Sequence, residues 1–329
     1  MLMHPPVLVL LLMATLGAFA MAWAGHFALD LRRHWNPALG TRRQIELERR
    51  TQLVATVVAQ VLVLQGAAVL LMVYNADRTA PLLVGAMCAF GTFNASVYGF
   101  PALYAKLALF FAASIWLSMH RADLVATDYP LTPRKYLWLM ALAPLAWADA
   151  ALTLAYFVDL QPDTLTSCCG STFHPDRPGI AAEVSSIDPR TALWALAVAW
   201  VAVMAWGLLA ARSRGLAAGY ALASAVFFGV ALGAVVAGIS PYVYESPHHH
   251  CPFCLLEREY GYFGYAMYAP LFIGASAGLA SGLLSVRPPP SLAAWLPART
   301  GHLRRISLLG FATFVAVGAL AVAMSGLRL

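Results

Sequence analysis

Residues 216–239, LAAGYALASAVFFGVALGAVVAGI, contain no charged side chain, and as a helix they are long enough to cross a bilayer. Similar apolar runs of about 20 residues recur along the chain, which has 329 residues, 61% of them hydrophobic and only 11% charged. We therefore predict an all-α polytopic membrane protein, a bundle of about eight transmembrane helices that forms a single integral membrane domain over residues 1–329. The predicted spans are 7–29, 53–74, 102–119, 137–160, 192–211, 216–239, 262–284 and 306–323.

The loops between these spans predict the orientation of the chain. Basic residues gather in the stretches 32–50, 121–135, 212–214 and 287–305. With eight spans all four stretches fall on one side, which the positive-inside rule makes cytoplasmic. Segment 81–99 is apolar but rich in Gly, Asn and Ser, and we interpret it as interfacial or re-entrant, because a span there would separate the first basic stretch from the others. Both termini and the loops 161–190 and 240–256 then face outward, towards the periplasm if the host is a bacterium and the chain lies in its inner membrane.

The composition also excludes some partners. The formal net charge is +6, but the bases sit in short loops between apolar runs, as in cytoplasmic membrane loops. We therefore expect the lipid bilayer, and no nucleic acid, to be the partner of this chain. None of the loops is long enough to bury a core of its own.

Cysteines mark the outward side. Cys168 and Cys169 lie in one outward loop, Cys251 and Cys254 lie in the other, and Cys88 falls near the same face. The Cys-x-x-Cys pair stands where a polar loop turns into an apolar helix, and a helix start with nearby cations lowers a thiol pKa. Adjacent cysteines have Cα atoms about 3.8 Å apart, shorter than disulfides prefer, which suits thiol exchange with a partner sulfur or joint ligation of a soft metal.

The stretch 251–258, CPFCLLER, resembles the motif of the DsbB disulfide-forming quinone reductases, a Cys-x-x-Cys followed by two apolar residues and Glu or Gln before Arg. In that family the cysteine pair passes electrons to a bound quinone beside the Arg. The resemblance implies that Cys251 and Cys254 are the redox pair and that Arg258, next to Glu257, contacts the quinone. In a helix, Arg258 would share the face of Cys254 one turn further on, where a cation favours thiolate.

The order of the cysteines is similar to that of the related vitamin K epoxide reductases, whose loop cysteines precede the Cys-x-x-Cys helix. The resemblance implies a thiol:quinone oxidoreductase of an electron-transport chain. A thioredoxin-like extracytoplasmic protein would pass electrons to Cys168 and Cys169, and these would pass them to Cys251 and Cys254 and on to quinone. The outward topology and the resemblance favour this direction of electron flow, and the reverse direction stays open.

Two other interpretations use the same loops. His248, His249, His250 and His174, together with the four loop cysteines, exceed the four N or S ligands that a zinc or copper site needs. The chain would then be a metal-binding protein or a non-catalytic subunit of a larger membrane redox complex. Alternatively, a structural disulfide joins the two outward loops.

One carboxylate falls inside the membrane. Asp149 lies near the middle of the fourth predicted span, where a charge is expensive and usually faces a partner or a water-filled path. Lys106 in the third span can pair with it or can equally extend its charged end outward to the membrane surface. Asp149 is therefore either a proton relay for quinone chemistry or a contact that holds two helices together. His26 and His120 are the candidate axial ligands for a haem, but interfacial histidines are usually solvated, and we do not expect haem.

Overall fold

The computed structural model describes residues 2–36, 41–161, 166 and 180–328. Within these ranges eight helices are long and apolar enough to cross a membrane, and no β-strand is found. The chain is a multi-pass membrane protein, which confirms the predicted all-α class and the predicted number of spans. Each predicted span overlaps one of the eight helices.

The helices of the described ranges are numbered here in chain order. They are α1 (Pro5–His34), α2 (Arg42–Thr79), α3 (Ala89–Asn94), α4 (Gly99–Asp123), α5 (Thr132–Asp159), α6 (Ile180–Ser185), α7 (Pro189–Leu209), α8 (Arg214–Ala234), α9 (Ser240–Val243), α10 (Phe263–Ser285) and α11 (Leu296–Met324). A π-helical turn, Val235–Ile239, continues α8 into α9. Between α2 and α4 the chain forms a short 3₁₀ turn, Ala80–Leu82, and the six-residue α3. Both are too short to span, and the interfacial or re-entrant placement of 81–99 stays a prediction.

The chain divides into two compact units. The first unit comprises Met1–Arg78, Phe93–Thr164 and Pro288–Leu296, and the second comprises Thr79–Thr92, Leu165–Arg287 and Pro297–Leu329. The first unit therefore contains α1, α2, α4 and α5, and the second contains α7 to α11 with the loop of the Cys-x-x-Cys pair.

Polar contacts stabilise the first unit inside its apolar core. The Lys106 Nζ donates to Asp149 Oδ2 at 3.0 Å and lies 2.9 Å from Oδ1, and both side chains are fully buried. A second buried pair joins Asp123 of α4 to Lys135 of α5 at 2.5 Å. These contacts confirm that Lys106 is the partner of Asp149, and they link α4 to α5.

Small residues let the helices of the second unit approach closely. A Cβ added to Gly278 of α10 would lie 2.1 Å from Ser224 Oγ of α8. A Cβ added to Gly310 of α11 would lie 2.5 Å from the Pro270 carbonyl of α10. Such contacts between small residues are typical of helix packing in membranes, where apolar side chains gain no hydrophobic driving force.

Candidate functional site: a buried cluster of three thiols

Three cysteines of the second unit meet in space. The Sγ atoms of Cys88 and Cys251 are 3.5 Å apart, and the sulfurs of Cys88, Cys251 and Cys254 all lie within 4.8 Å of one another. The side chains are 1%, 0% and 6% exposed, respectively, and all three carry thiols. We call this group the thiol cluster. Within the described part of the chain it is the one set of three or more potential metal ligands this close together.

Two tyrosines hold the backbone of the Cys-x-x-Cys loop. The Tyr244 hydroxyl donates to the Cys251 carbonyl at 2.5 Å, and the Tyr268 hydroxyl of α10 donates to the Pro252 carbonyl at 2.8 Å. Two successive carbonyls are thus anchored to flanking elements. This anchoring orients the cysteines of the loop before any reaction or ligand binding takes place.

The long helix after the loop matches the predicted span 262–284, but it does not extend back to the cysteine pair. Cys254–Leu256 and Arg258–Tyr260 form two separate 3₁₀ turns, divided by Glu257 in an extended conformation with φ −81° and ψ 159°. Gly261 and Tyr262 then adopt left-handed backbone with φ of 62° and 56°, and α10 starts only at Phe263.

This arrangement corrects two expectations about the loop. The prediction that an apolar helix starts at the cysteine pair is wrong, and the positive end of α10 is not at Cys254. The prediction that Arg258 follows Cys254 by one helical turn is also wrong, because the extended Glu257 interrupts the helical hydrogen bonds between them. Arg258 is exposed and Glu257 is half-buried, and their contact with a quinone stays a prediction.

The sequence leaves open whether Cys88 takes part in the site, and the structure brings its sulfur next to that of Cys251. Cys88 is 163 positions away from Cys251, and no local motif surrounds it. Its one signal was its position near the outward ends of the predicted spans, the depth at which the other cysteines lie.

Thr166 is anchored to the stretch that carries Cys88. Its amide donates to the Val84 carbonyl at 3.0 Å, and its hydroxyl donates to the Gly91 carbonyl at 2.9 Å. Gly85 permits this approach, because its φ is +90° and a Cβ there would lie 2.4 Å from the Thr166 carbonyl oxygen. The chain just before Cys168 and Cys169 is therefore attached on both sides of Cys88. Cys168, Cys169 and His174 themselves lie outside the described residues.

The three consecutive histidines take different positions. His248 is exposed. His249 stacks on Tyr244, with ring centroids 3.9 Å apart, and His250 is buried with Nδ1 3.0 Å from the Val236 carbonyl of the π-helical turn. The structure does not bring any of them into the thiol cluster.

Burial sets the charge of the rings beside the cluster. It lowers the pKa of His249, although the negative charge that Cys88 can carry acts in the opposite direction. Burial raises the pKa of the Tyr244 hydroxyl, and the charges of Cys251 and Cys254 add to this effect. The His249 imidazole and the Tyr244 hydroxyl are therefore both uncharged around pH 7.

No protein-family model matches this chain, and no curated protein and no solved structure is significantly similar to it. The resemblance to the DsbB and vitamin K epoxide reductase families therefore rests on the short motif at residues 251–258 and on the order of the cysteines. It stays a prediction. The chemistry of the thiol cluster is the remaining guide to function.

Proposed function

We propose that the protein is a membrane thiol-disulfide oxidoreductase, which exchanges electrons between outward-facing cysteines and a membrane quinone at the thiol cluster. The observation that carries this proposal is the convergence of the Cys-x-x-Cys pair with a third buried thiol. A disulfide bond is about 2.05 Å long, so the sulfurs of Cys88 and Cys251 need to approach by only about 1.5 Å to form one. Small side-chain rotations supply such a movement.

The reaction conserves electrons and protons within the proposed partners. Two thiols of the cluster lose two electrons and two protons and form an S–S bond, while a quinone gains both and becomes a quinol. Cys254 lies within 4.8 Å of the other two sulfurs, so its thiolate can attack a bond between Cys88 and Cys251 and release one of them as the leaving thiolate.

Burial favours this redox chemistry. A dithiol and a disulfide are both neutral, so neither resting state places a charge in a low-dielectric site. Three permanently ionised thiolates would be costly there without a cation. The thiolate that exchange requires is needed only during the attack.

The anchored Thr166 supports a route from the outside to the cluster. Cys168 and Cys169 follow it by two and three residues, and it is tied to the stretch that carries Cys88. In the proposed path a thioredoxin-like dithiol reduces a disulfide that involves Cys168 or Cys169 and becomes a disulfide itself. The thiolates released there attack the cluster disulfide that a quinone near Arg258 has formed, which restores the outer disulfide and returns the cluster to thiols. The positive-inside rule, applied to the basic loops, supports an outward position of these cysteines, which is the periplasmic side if the chain lies in a bacterial inner membrane.

The contact of Asp149 with Lys106 favours a structural role, in which the pair links two helices, over a role of Asp149 as a proton relay. The ammonium group of Lys106 faces both carboxylate oxygens, so the pair joins α4 to α5 within the first unit. We therefore do not include Asp149 in the redox path.

The test follows the thiols directly. The purified protein is reduced without oxygen, freed of reductant and mixed with a soluble quinone, and the remaining thiols are counted by maleimide gel shift. We expect quinone-dependent loss of two thiols per chain, abolished in Cys251→Ser and retained in the control His248→Ala, whose side chain is exposed. If quinone leaves the thiols unchanged while a general thiol oxidant still removes them, the proposal fails.

A further inference from the structure

A polar cavity of about 190 Å³ lies at one end of the first unit. At this end α1 and α4 stop, and α2 and α5 start. The volume is below the roughly 300–1,000 Å³ of cavities that take drug-sized ligands, so the cavity suits a small polar group. The thiol cluster belongs to the second unit, and what binds in this cavity goes beyond the proposed redox function.

Two buried polar atoms of the cavity lining have no hydrogen-bond partner in the described part of the chain. They are the hydroxyl oxygen of Thr51, whose side chain is only 4% exposed, and Nδ1 of His120. Burial of a polar atom without a partner is unfavourable. A ligand that forms hydrogen bonds with both atoms removes this cost.

A cation and an anion also line the cavity. The Lys135 ammonium carries three donors, and its hydrogen bond to Asp123 uses one of them. The half-buried Glu48 accepts a hydrogen bond from Gln44 at 2.9 Å, but it forms no ion pair with any residue that the structure describes. The lining therefore matches a ligand that carries one negative and one positive group.

An apolar cavity adjoins the polar one. It measures about 110 Å³, lies between α1 and α5, and shares Trp35 with the polar cavity. Its lining includes Leu31, Leu137 and Met140, and Leu137 is 57% exposed. In a chain that spans a membrane, such a leucine meets lipid acyl chains, which are equally apolar. A polar and an apolar cavity with a common wall suit an amphiphilic ligand.

We propose that the two cavities bind one phospholipid whose headgroup carries a phosphate and a primary ammonium, as in phosphatidylethanolamine. The phosphate oxygens accept hydrogen bonds from Lys135, from the Thr51 hydroxyl and from His120 in its Nδ1–H tautomer. The ammonium donates to the Glu48 carboxylate, and the first part of an acyl chain fills the apolar cavity. An anionic lipid without an ammonium leaves Glu48 without a counter-charge, so it binds more weakly.

The position of the cavities along the helices supports a lipid ligand. The basic stretches 32–50 and 121–135 surround them, and Trp35 and Tyr129 line the polar cavity. Trp and Tyr are enriched where a membrane meets water, and pockets between helices at this depth bind lipid headgroups. The positive-inside rule, applied to these stretches, predicts that the lipid comes from the cytoplasmic leaflet.

The experiment is native mass spectrometry of the delipidated protein in detergent, titrated with an equimolar mixture of short-chain phosphatidylethanolamine and phosphatidylglycerol. We expect one phosphatidylethanolamine per chain, bound about tenfold more tightly than phosphatidylglycerol, which is the size of one hydrogen bond between charged groups. Glu48→Gln should remove this preference, and Thr51→Val should weaken the binding of both lipids. The matched control Glu46→Gln, at an exposed position of the same helix, should bind as wild type does.

Equal binding of the two lipids by the wild type would overturn the site, and so would a preference that persists in Glu48→Gln. Glycerophosphoethanolamine, which has the headgroup but no acyl chain, separates the two cavities. It should compete at least about tenfold more weakly than the lipid, because two buried methylene groups already account for that factor. Equal competition contradicts a site that also binds the chain.

The wild type alone provides a test if the variants do not fold. A phosphatidylethanolamine with a photoreactive group near the start of its acyl chain should label peptides that contain Leu31 or Leu137. Labelling confined to other peptides contradicts the site. Because these assays do not involve the cysteines, lipid binding and quinone-dependent thiol oxidation can fail independently.

Discussion

Removing Lys106 from its ion pair should destabilise the first unit strongly. The Lys106 ammonium lies 2.9 Å and 3.0 Å from the two carboxylate oxygens of Asp149, and both side chains are 0% exposed. With an effective dielectric constant of about 20, opposite unit charges at that distance attract by about 6 kcal/mol, before the cost of taking both out of water. Lys106→Met leaves the Asp149 charge buried and uncompensated, which costs about 3–5 kcal/mol in comparable cases.

A double variant separates the charge from the packing. Lys106→Met combined with Asp149→Asn leaves a neutral buried amide, whose cost without a partner is about 1–3 kcal/mol. We therefore expect the double variant to be more stable than Lys106→Met alone by about 2 kcal/mol. Wild type should be the most stable, the double variant intermediate and Lys106→Met the least stable.

The assay is equilibrium unfolding in mixed micelles, in which a denaturing detergent is titrated and helicity is followed by circular dichroism. Arg50→Met is the matched control, because Arg50 pairs with Glu46 at 2.5 Å but both side chains are more than half exposed. An exposed pair contributes about 1 kcal/mol or less. If Lys106→Met unfolds like Arg50→Met, or if the double variant is the least stable, the attribution of stability to this ion pair is refuted.

Two further predictions concern the second unit. Tyr268→Phe removes the hydrogen-bond donor to the Pro252 carbonyl, so the cysteines of the thiol cluster should react with maleimide several-fold faster than in wild type. The control Tyr265→Phe, at an exposed position, should leave the reaction rate unchanged. Equal rates in the two variants would contradict the anchoring role of Tyr268. Gly278→Ala places a Cβ 2.1 Å from a side-chain oxygen of α8 and should lower the free energy of unfolding by about 1–3 kcal/mol. The control Gly233→Ala, with nothing within 4 Å of its Cβ, should not lower it. The same detergent titration measures both variants, and equal effects would contradict close packing at Gly278.

The spans were predictable because the bilayer acts on local sequence. A run such as 216–239 has to be helical in hydrocarbon, since every backbone polar group must find its partner within the segment. The pairing of Lys106 with Asp149 was predictable for a related reason, because a charge at that depth needs a compensating group nearby.

The site was less predictable because it depends on contacts distant in sequence. The Cys-x-x-Cys motif indicated the loop that carries two of the three clustered cysteines, but nothing in the sequence around Cys88 indicates that it lies beside Cys251. The helix that we expected to start at the cysteine pair does not start there, because the backbone changes direction after the pair. Gly261 and Tyr262 take left-handed conformations that redirect the chain before α10, and a Tyr in that conformation has no sequence signal.

The most direct test of the redox centre is to map its disulfide. Reduced protein is exposed to quinone without oxygen, remaining thiols are blocked, and the linked peptides are identified by mass spectrometry before and after reduction. The proposed function predicts a bond that joins Cys251 to Cys88 or to Cys254 and that forms only with quinone. If all three cysteines remain open to alkylation after quinone treatment, the thiol cluster is not a quinone-linked redox centre.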